Sequence, residues 1–162
     1  MSFHPKIVAL DQLSARLADL RAAGKKIVAT NGCFDLLHVG HVRYLQEARA
    51  LGDALVVGIN GDESTRQLKG EGRPLNKERD RAEVVAALAC VDLVTIFPDI
   101  RAGRFLELTK PDVYVKGGDY TIDTLDKSER VVLERAGAEI RIIPFEKGYS
   151  TSGLLEKLGK PT

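Results

Sequence analysis

His38 and His41 flank Val39-Gly40 in a chain of 162 residues, and this spacing is the strongest chemical signal the sequence carries. The pair follows Thr30-Asn31-Gly32-Cys33-Phe34-Asp35, which itself follows the apolar run Lys26-Ile27-Val28-Ala29. That run reads as a buried strand, and residues 42–49 have helical spacing. The histidines therefore stand where a strand's carboxyl end meets a helix's amino end, the place where ligands bind in an open parallel α/β sheet. A helix start offers unpaired N–H groups and a positive dipole end to an anion. Gly40 lacks the side chain that would hold a phosphate away from the backbone. Histidine at a helix start also serves as a simple cap or surface residue, and the residues alone leave that alternative open.

Phosphate chemistry suits the pair. When a group passes between two phosphates, two anions meet and negative charge grows on the reacting centre and the departing group. The protein then contributes mainly position and electrostatic stabilisation. Two imidazoles, an open backbone and a helix terminus supply donors for that charge, and no protein nucleophile is needed. Cys33 lies within the motif and reads as a small packed residue rather than a thiolate.

The elements that must hold this turn come in regular order. Leu10, Leu13, Leu17 and Leu20 recur at helical spacing, giving a helical amino-terminal segment over residues 1–25. Residues 54–60 form an unbroken apolar run, as in a strand covered on both faces. A short helix capped by Asp62 follows, then a Gly- and Pro-punctuated loop over residues 69–75. Asn76 is expected to cap a helix through Ala89, with Val84, Val85 and Leu88 on its apolar side. Strands over 93–97, 112–116 and 139–143 alternate with helices over 101–109 and 126–136, and a last helix starts at Ser150-Thr151-Ser152. The pattern predicts a doubly wound, Rossmann-like parallel sheet of five strands with helices on both faces. With no repeat or linker, residues 1–162 read as one domain.

Composition narrows the partners. A hydrophobic content of 44% and a net charge of +1 give no reason to expect nucleic acid or a membrane surface. No apolar run is long enough to span a bilayer, and no signal-peptide pattern opens the chain. Cys33 and Cys90 are far apart and form no metal-binding or disulfide framework. A cytoplasmic address is the default expectation. Neither a GxGxxG after the first strand nor a GxxxxGK[ST] is present, which excludes dehydrogenase and P-loop readings.

The order strand, Gly32-x-Phe34-Asp35-x-x-His38-x-Gly40-His41, helix resembles the nucleotidyltransferase superfamily. That resemblance implies that His38 and His41 bind nucleotide phosphates and stabilise direct, in-line attack on the α-phosphate, with Asn31, Gly32, Cys33, Phe34 and Gly40 around them. Lys69 and Arg73 read as solvated surface charges on residue type alone. Yet Leu68-Lys69-Gly70 with Arg73-Pro74 resembles the family's mobile segment that closes over triphosphate and acceptor. Arg81 matches a family arginine more loosely, with Asp80 where the family often has Glu or Gln. Ser150-Thr151-Ser152 serves as an ordinary N-cap by propensity. It also resembles the family's phosphate-binding hydroxyl motif, and three hydroxyls exceed the need of one cap.

Val115-Lys116-Gly117-Gly118-Asp119-Tyr120, taken with Asn60-Gly61-Asp62 and Leu68-Lys69-Gly70, resembles the bacterial D-glycero-β-D-manno-heptose 1-phosphate adenylyltransferases in their stand-alone form. The likeness implies Gly117, Gly118 and Asp119 beside the nucleoside, and Asp35, Asp62, Arg73, Arg81 and Lys116 towards the acceptor. It further implies ATP and a sugar phosphate as substrates, Mg²⁺ carried largely by phosphate oxygens and water, no protein metal ligand, and a possible homodimer. A glycerol-3-phosphate cytidylyltransferase using CTP shares the histidine motif, the loop lysine and the terminal Ser-Thr element. A non-catalytic nucleotide sensor is the alternative of another class.

Overall fold

The computed structural model describes residues 4–118, 120–144 and 147–159. Five parallel strands form one sheet in the order β3-β2-β1-β4-β5: β1 (Ile27–Gly32), β2 (Ala54–Asn60), β3 (Leu93–Phe97), β4 (Val113–Gly117) and β5 (Glu139–Ile143). The doubly wound sheet expected from the alternating pattern is the sheet observed. Chain direction reverses its winding between β1 and β4, and that switch point opens a crevice at the strands' carboxyl ends.

Alternation of side chains across the strands produces two apolar layers. On one face Val28, Leu55, Val57 and Ile59 pack with Tyr44, Leu45 and Ala48 of α2 (Val39–Arg49) and Ala82, Val85 and Ala86 of α4 (Glu78–Ala86). On the other, Ile27, Ala29, Val56 and Phe97 pack with Leu13 and Leu17 of α1 (Leu13–Ala22), Phe105 and Leu106 of α5 (Gly103–Thr109) and Leu133 of α6 (Lys127–Ala136). All of β2 is buried, as its continuous apolar run requires. β1 is buried through Thr30 and only half-buried at Asn31 and Gly32, where it emerges into the crevice.

Two helix starts differ from the sequence expectation. α3 (Asp62–Lys69) is capped at Gly61 rather than Asp62, and its first N–H, that of Asp62, is accepted by Glu78 Oε2 at 2.7 Å. α4 starts after Lys77 and ends at Ala86, not Ala89. Val84 lies 53% exposed, while Arg81 occupies the inward face at 2%. The apolar spacing misled because an arginine had taken a core position. Among the described residues no helix is long and apolar enough to cross a membrane.

Candidate active site

A cleft of about 470 Å³ lies over the carboxyl ends of the central strands. Asn31 and Gly32 from β1, Asn60 from β2 and Gly117 from β4 form its floor. One wall is the turn from Cys33 to His41 with Lys69, Arg73 and the start of α7 (Thr151–Leu158); the other is Lys116, Tyr120, Ile100, Arg101 and Glu129. The floor is held from beneath. Tyr114 donates to Asn31 Oδ1 at 2.6 Å, and Asn60 Nδ2 donates to the Asp99 carbonyl at 3.2 Å.

His38 caps α2 in extended backbone, and its N–H donates to His41 Nδ1 at 3.3 Å. A neutral imidazole that accepts at Nδ1 carries its proton on Nε2, so His41 has a donor left to offer. The two rings lie 3.9 Å apart between centroids, and Phe34 packs on His41 at 5.6 Å. Burial, the neighbouring His38 and Lys69 together push His41 down to about 4. Burial likewise lowers His38. Both rings are therefore neutral donors near pH 7.

Gly40 is required by its neighbours within the turn as well. A Cβ there would lie 2.9 Å from His38 Nδ1 and 3.0 Å from Tyr149 Cβ. The His38 ring and Tyr149 crowd the place a side chain would take, and the residue also lines the cleft. Tyr149 stacks towards His38 at 6.4 Å, and the Arg43 guanidinium sits 5.6 Å over its ring.

The three hydroxyls at α7 divide their tasks. Ser150 Oγ accepts the Gly153 N–H at 3.0 Å as an N-cap. Thr151 Oγ1 donates to the Leu36 carbonyl at 3.1 Å, tying α7 to the histidine turn. Ser152 also lines the cleft.

Asp35 and Arg73 face each other across 2.5 Å, with side chains 2% and 16% exposed. The Asp35 carboxylate also accepts from the Leu75 and Asn76 N–H groups. Burial pushes this carboxyl up, but the Asn76 and Leu75 N–H groups and Arg73 outweigh it and hold it below its ordinary range. Arg81 donates to the Cys33 carbonyl at 2.5 Å, the Asn76 carbonyl at 3.0 Å and Asp62 Oδ1 at 3.0 Å.

Across the cleft, Lys116 Nζ lies 5.0 Å over the Tyr120 ring. Burial lowers its pKa, Glu129 opposes that shift and Arg101 adds to it. Glu129 is 4% exposed and accepts the Ala102 N–H at 2.7 Å, which fixes the loop carrying Ile100 and Arg101.

Of the residues singled out by sequence, Asn31, Gly32, Cys33, Phe34, Asp35, His38, Gly40, His41, Lys69, Arg73, Lys116, Gly117, Ser150, Thr151 and Ser152 line this cleft. Asp62 and Arg81 do not. They pair with each other, and the buried Arg81 guanidinium also donates to the Cys33 and Asn76 carbonyls. Gly118 is buried behind the wall, its N–H donated to the Ile143 carbonyl at 3.1 Å. Asp119 lies outside the described residues. Sequence reasoning missed Tyr44, Asn60, Leu68, Ile100, Arg101, Tyr120, Glu129 and Tyr149 as cleft residues. Asn60, Leu68 and Tyr120 stand within the quoted motifs and Tyr149 adjoins one, so these four could have been found from the sequence. Ile100, Arg101 and Glu129 carry no local signal.

The profile of the cytidylyltransferase-like family matches residues 29–156, a span that runs from β1 into α7. The chain belongs to that family. It is accordingly an enzyme of the nucleotidyltransferase class, as the histidine turn implied. The bifunctional protein HldE of Citrifermentans bemidjiense is 51% identical over 153 residues, which is 94% of this chain and 31% of that protein. HldE of Helicobacter pylori strain J99 is 47% identical over 155 residues, 96% of this chain and 32% of its own. The chain thus spans about a third of the length of these curated relatives. Among solved structures, a lipopolysaccharide core biosynthesis protein from Thermoplasma volcanium is similar at a TM-score of 0.63 and 29% identity, covering 78% of this chain and 100% of that one. A pantoate-β-alanine ligase from Francisella tularensis shares the fold at a TM-score of 0.59 and 15% identity, over 87% of this chain and 67% of its own. The cytidylyltransferase-like assignment fits a cleft lined by two neutral imidazoles with Lys69 and Arg73.

Proposed function

We propose that the chain transfers the adenylyl group of ATP to a sugar 1-phosphate, a heptose 1-phosphate in keeping with its HldE relatives, and releases pyrophosphate. The observation that carries this reading is the convergence of His38, His41, Lys69 and the α7 start on one wall of a single cleft. Those groups suit the α-, β- and γ-phosphates of the nucleotide. An oxygen of the sugar phosphate attacks the α-phosphorus as the α–β bridging bond breaks, and the electron pair leaves on pyrophosphate. His41 Nε2–H, pre-set by the His38 N–H on the other ring nitrogen, donates to the charge that develops. Lys116 and Arg73 are assigned to the acceptor side, and Gly117 to the nucleoside.

Mg²⁺ fits as a companion of the triphosphate. Among the described residues no group of three His, Cys, Asp or Glu side chains could hold an ion, and Asp35 is committed to Arg73 and two N–H groups. An ion bound to phosphate oxygens and water would neutralise charge on the departing pyrophosphate. We take the reaction to be cytoplasmic, and a homodimer is expected from the family resemblance.

Pyrophosphate release, measured for ATP and CTP against heptose 1-phosphate and glycerol 3-phosphate, tests the assignment. Release with ATP and heptose 1-phosphate is the expected result. Preference for CTP with glycerol 3-phosphate would move the chain to the cytidylyl branch that the family's name describes. Silence in all four combinations would sink both.

A further inference from the structure

The 70–76 segment separates Lys69 from α4, and two side chains, Asp35 and Arg81, attach it to the rest of the fold. Gly70 lies at φ 99° immediately after Lys69, a conformation in which the chain leaves α3 without helical support. Apart from the Arg81 bond to the Asn76 carbonyl, the side-chain anchors among the described residues from there to Asn76 converge on Asp35. Its Oδ2 accepts from Arg73 Nε at 2.5 Å, and its two carboxylate oxygens accept from the Leu75 N–H at 2.8 and 3.0 Å. Oδ1 accepts the Asn76 N–H at 3.0 Å, and the residue's own carbonyl accepts from Asn76 Nδ2 at 2.8 Å. Asp35 itself belongs to the histidine turn, three residues before His38.

We infer that Asp35 is a positioning residue. It clamps the 73–76 segment to the histidine turn and so sets Lys69 and Arg73 against the same cleft as His38 and His41. The carboxylate does not contact the acceptor sugar, the role its motif position had suggested. A carboxylate that ligated the acceptor would need a lone pair turned into the cleft, whereas this one is 2% exposed and engaged by three donors. Its charge is matched by Arg73, so the clamp sets no net negative charge against incoming phosphates. Charge-assisted bonds of this kind are the stronger class of hydrogen bond, and a buried carboxylate with several donors holds its geometry. The inference rests on the adenylyltransferase reading for its kinetic consequences but not for its structural ones.

Two readouts keep these apart. In Asp35→Asn, amide hydrogen exchange at Leu75 and Asn76 should speed up on the order of 10- to 100-fold, while the amides of β1 and β2 keep their protection. That measurement needs no substrate. In pyrophosphate release, Asp35→Asn should lower kcat, and Arg73→Gln should lower kcat as well and raise the acceptor's KM, since Arg73 stands on the acceptor side. The double variant should be no worse than the poorer single one, since the pair acts as a unit. A raised acceptor KM in Asp35→Asn with unchanged exchange at Leu75 and Asn76 would overturn the clamp and return Asp35 to acceptor binding. If Asp35→Asn fails to fold, exchange in folded Arg73→Gln decides: faster exchange at Leu75 and Asn76 supports the clamp, and unchanged exchange rejects it. Altered exchange in an enzyme inactive on every nucleotide would uphold the clamp and reject the assigned reaction.

Discussion

Arg81 donates to the carbonyl oxygen of Cys33 across 2.5 Å and 48 positions of sequence, joining α4 to the turn that follows β1. The same guanidinium holds the Asn76 carbonyl and Asp62, so one buried cation fastens the histidine turn, the end of the 70–76 segment and the start of α3. Replacement by Met would leave those acceptors without their donor. Arg81→Met should therefore destabilise the fold by about 2 to 4 kcal/mol. Part of the ion-pair cost is relieved because Asp62 is 32% exposed to water. Urea unfolding checks the value. A loss under about 0.5 kcal/mol, the range of ordinary surface changes, would show that the carbonyls find water instead.

His41 makes stability depend on pH. Its folded pKa of about 4 lies below the model-compound value of 6.5, so between these values the unfolded chain binds more protons. The contribution is complete above about 6.5 and is lost as pH falls towards 4, at most roughly 3 kcal/mol across the window. His41→Gln removes the titration, so the stability difference between wild type and variant should change through this window and stay flat above pH 7. Denaturation curves at several pH values read it directly. A difference constant from pH 4 to 7 would place the ring in water.

Much of this fold was legible because period and punctuation agreed. The run at β2 is apolar without a break and buried without a break, and Asp126 and Gly137 stand at the two ends of α6 as caps. The site was legible where one local motif held it, as with Asn31 to His41. It was not legible where partners come from remote elements. Arg81 was read only as an acceptor-side arginine because burial of a guanidinium depends on carbonyls that only the tertiary fold presents. Glu129 and Arg101 meet Lys116 through the packing of α6 beside the loop after β3, and no spacing in either segment encodes that. The Ser150-Thr151-Ser152 count of hydroxyls was informative, yet one of the three binds the histidine turn.

Lys69 ends α3 with its side chain exposed beside the cleft. Lys69→Met should reduce kcat/KM for the triphosphate by roughly 10- to 100-fold and leave the melting temperature within about 2 °C. His41→Ala should instead cut kcat by about 100-fold or more with little loss in nucleotide affinity, because its donor matters most as charge develops. Equilibrium binding of ATP alongside steady-state rates separates the two. Loss of stability without loss of turnover at Lys69 would mark it as an ordinary surface charge.

Gly40 offers the sharpest test of how the histidine turn is built. A methyl group there meets His38 Nδ1 at 2.9 Å, closer than real Cβ contacts come, and Tyr149 Cβ at 3.0 Å, tighter than most of them. The ring is the movable partner, since Tyr149 is held by the chain that leads into the Ser150 cap. Gly40→Ala would therefore rotate His38 away from its place and leave the helix formed, alanine being the better helix residue. Turnover should fall by roughly 10- to 100-fold at unchanged or slightly raised thermal stability. In Gly40→Ala/Tyr149→Gly the Tyr149 contact is gone, so the methyl group meets only the His38 ring. If turnover recovers in the double variant, the crowding passes through Tyr149. If it stays low, displacement of His38 alone accounts for the loss. Wild-type turnover in the single variant would mean that the His38 ring can shift by a few tenths of an ångström without consequence, and the tight packing of the turn would then have no part in catalysis.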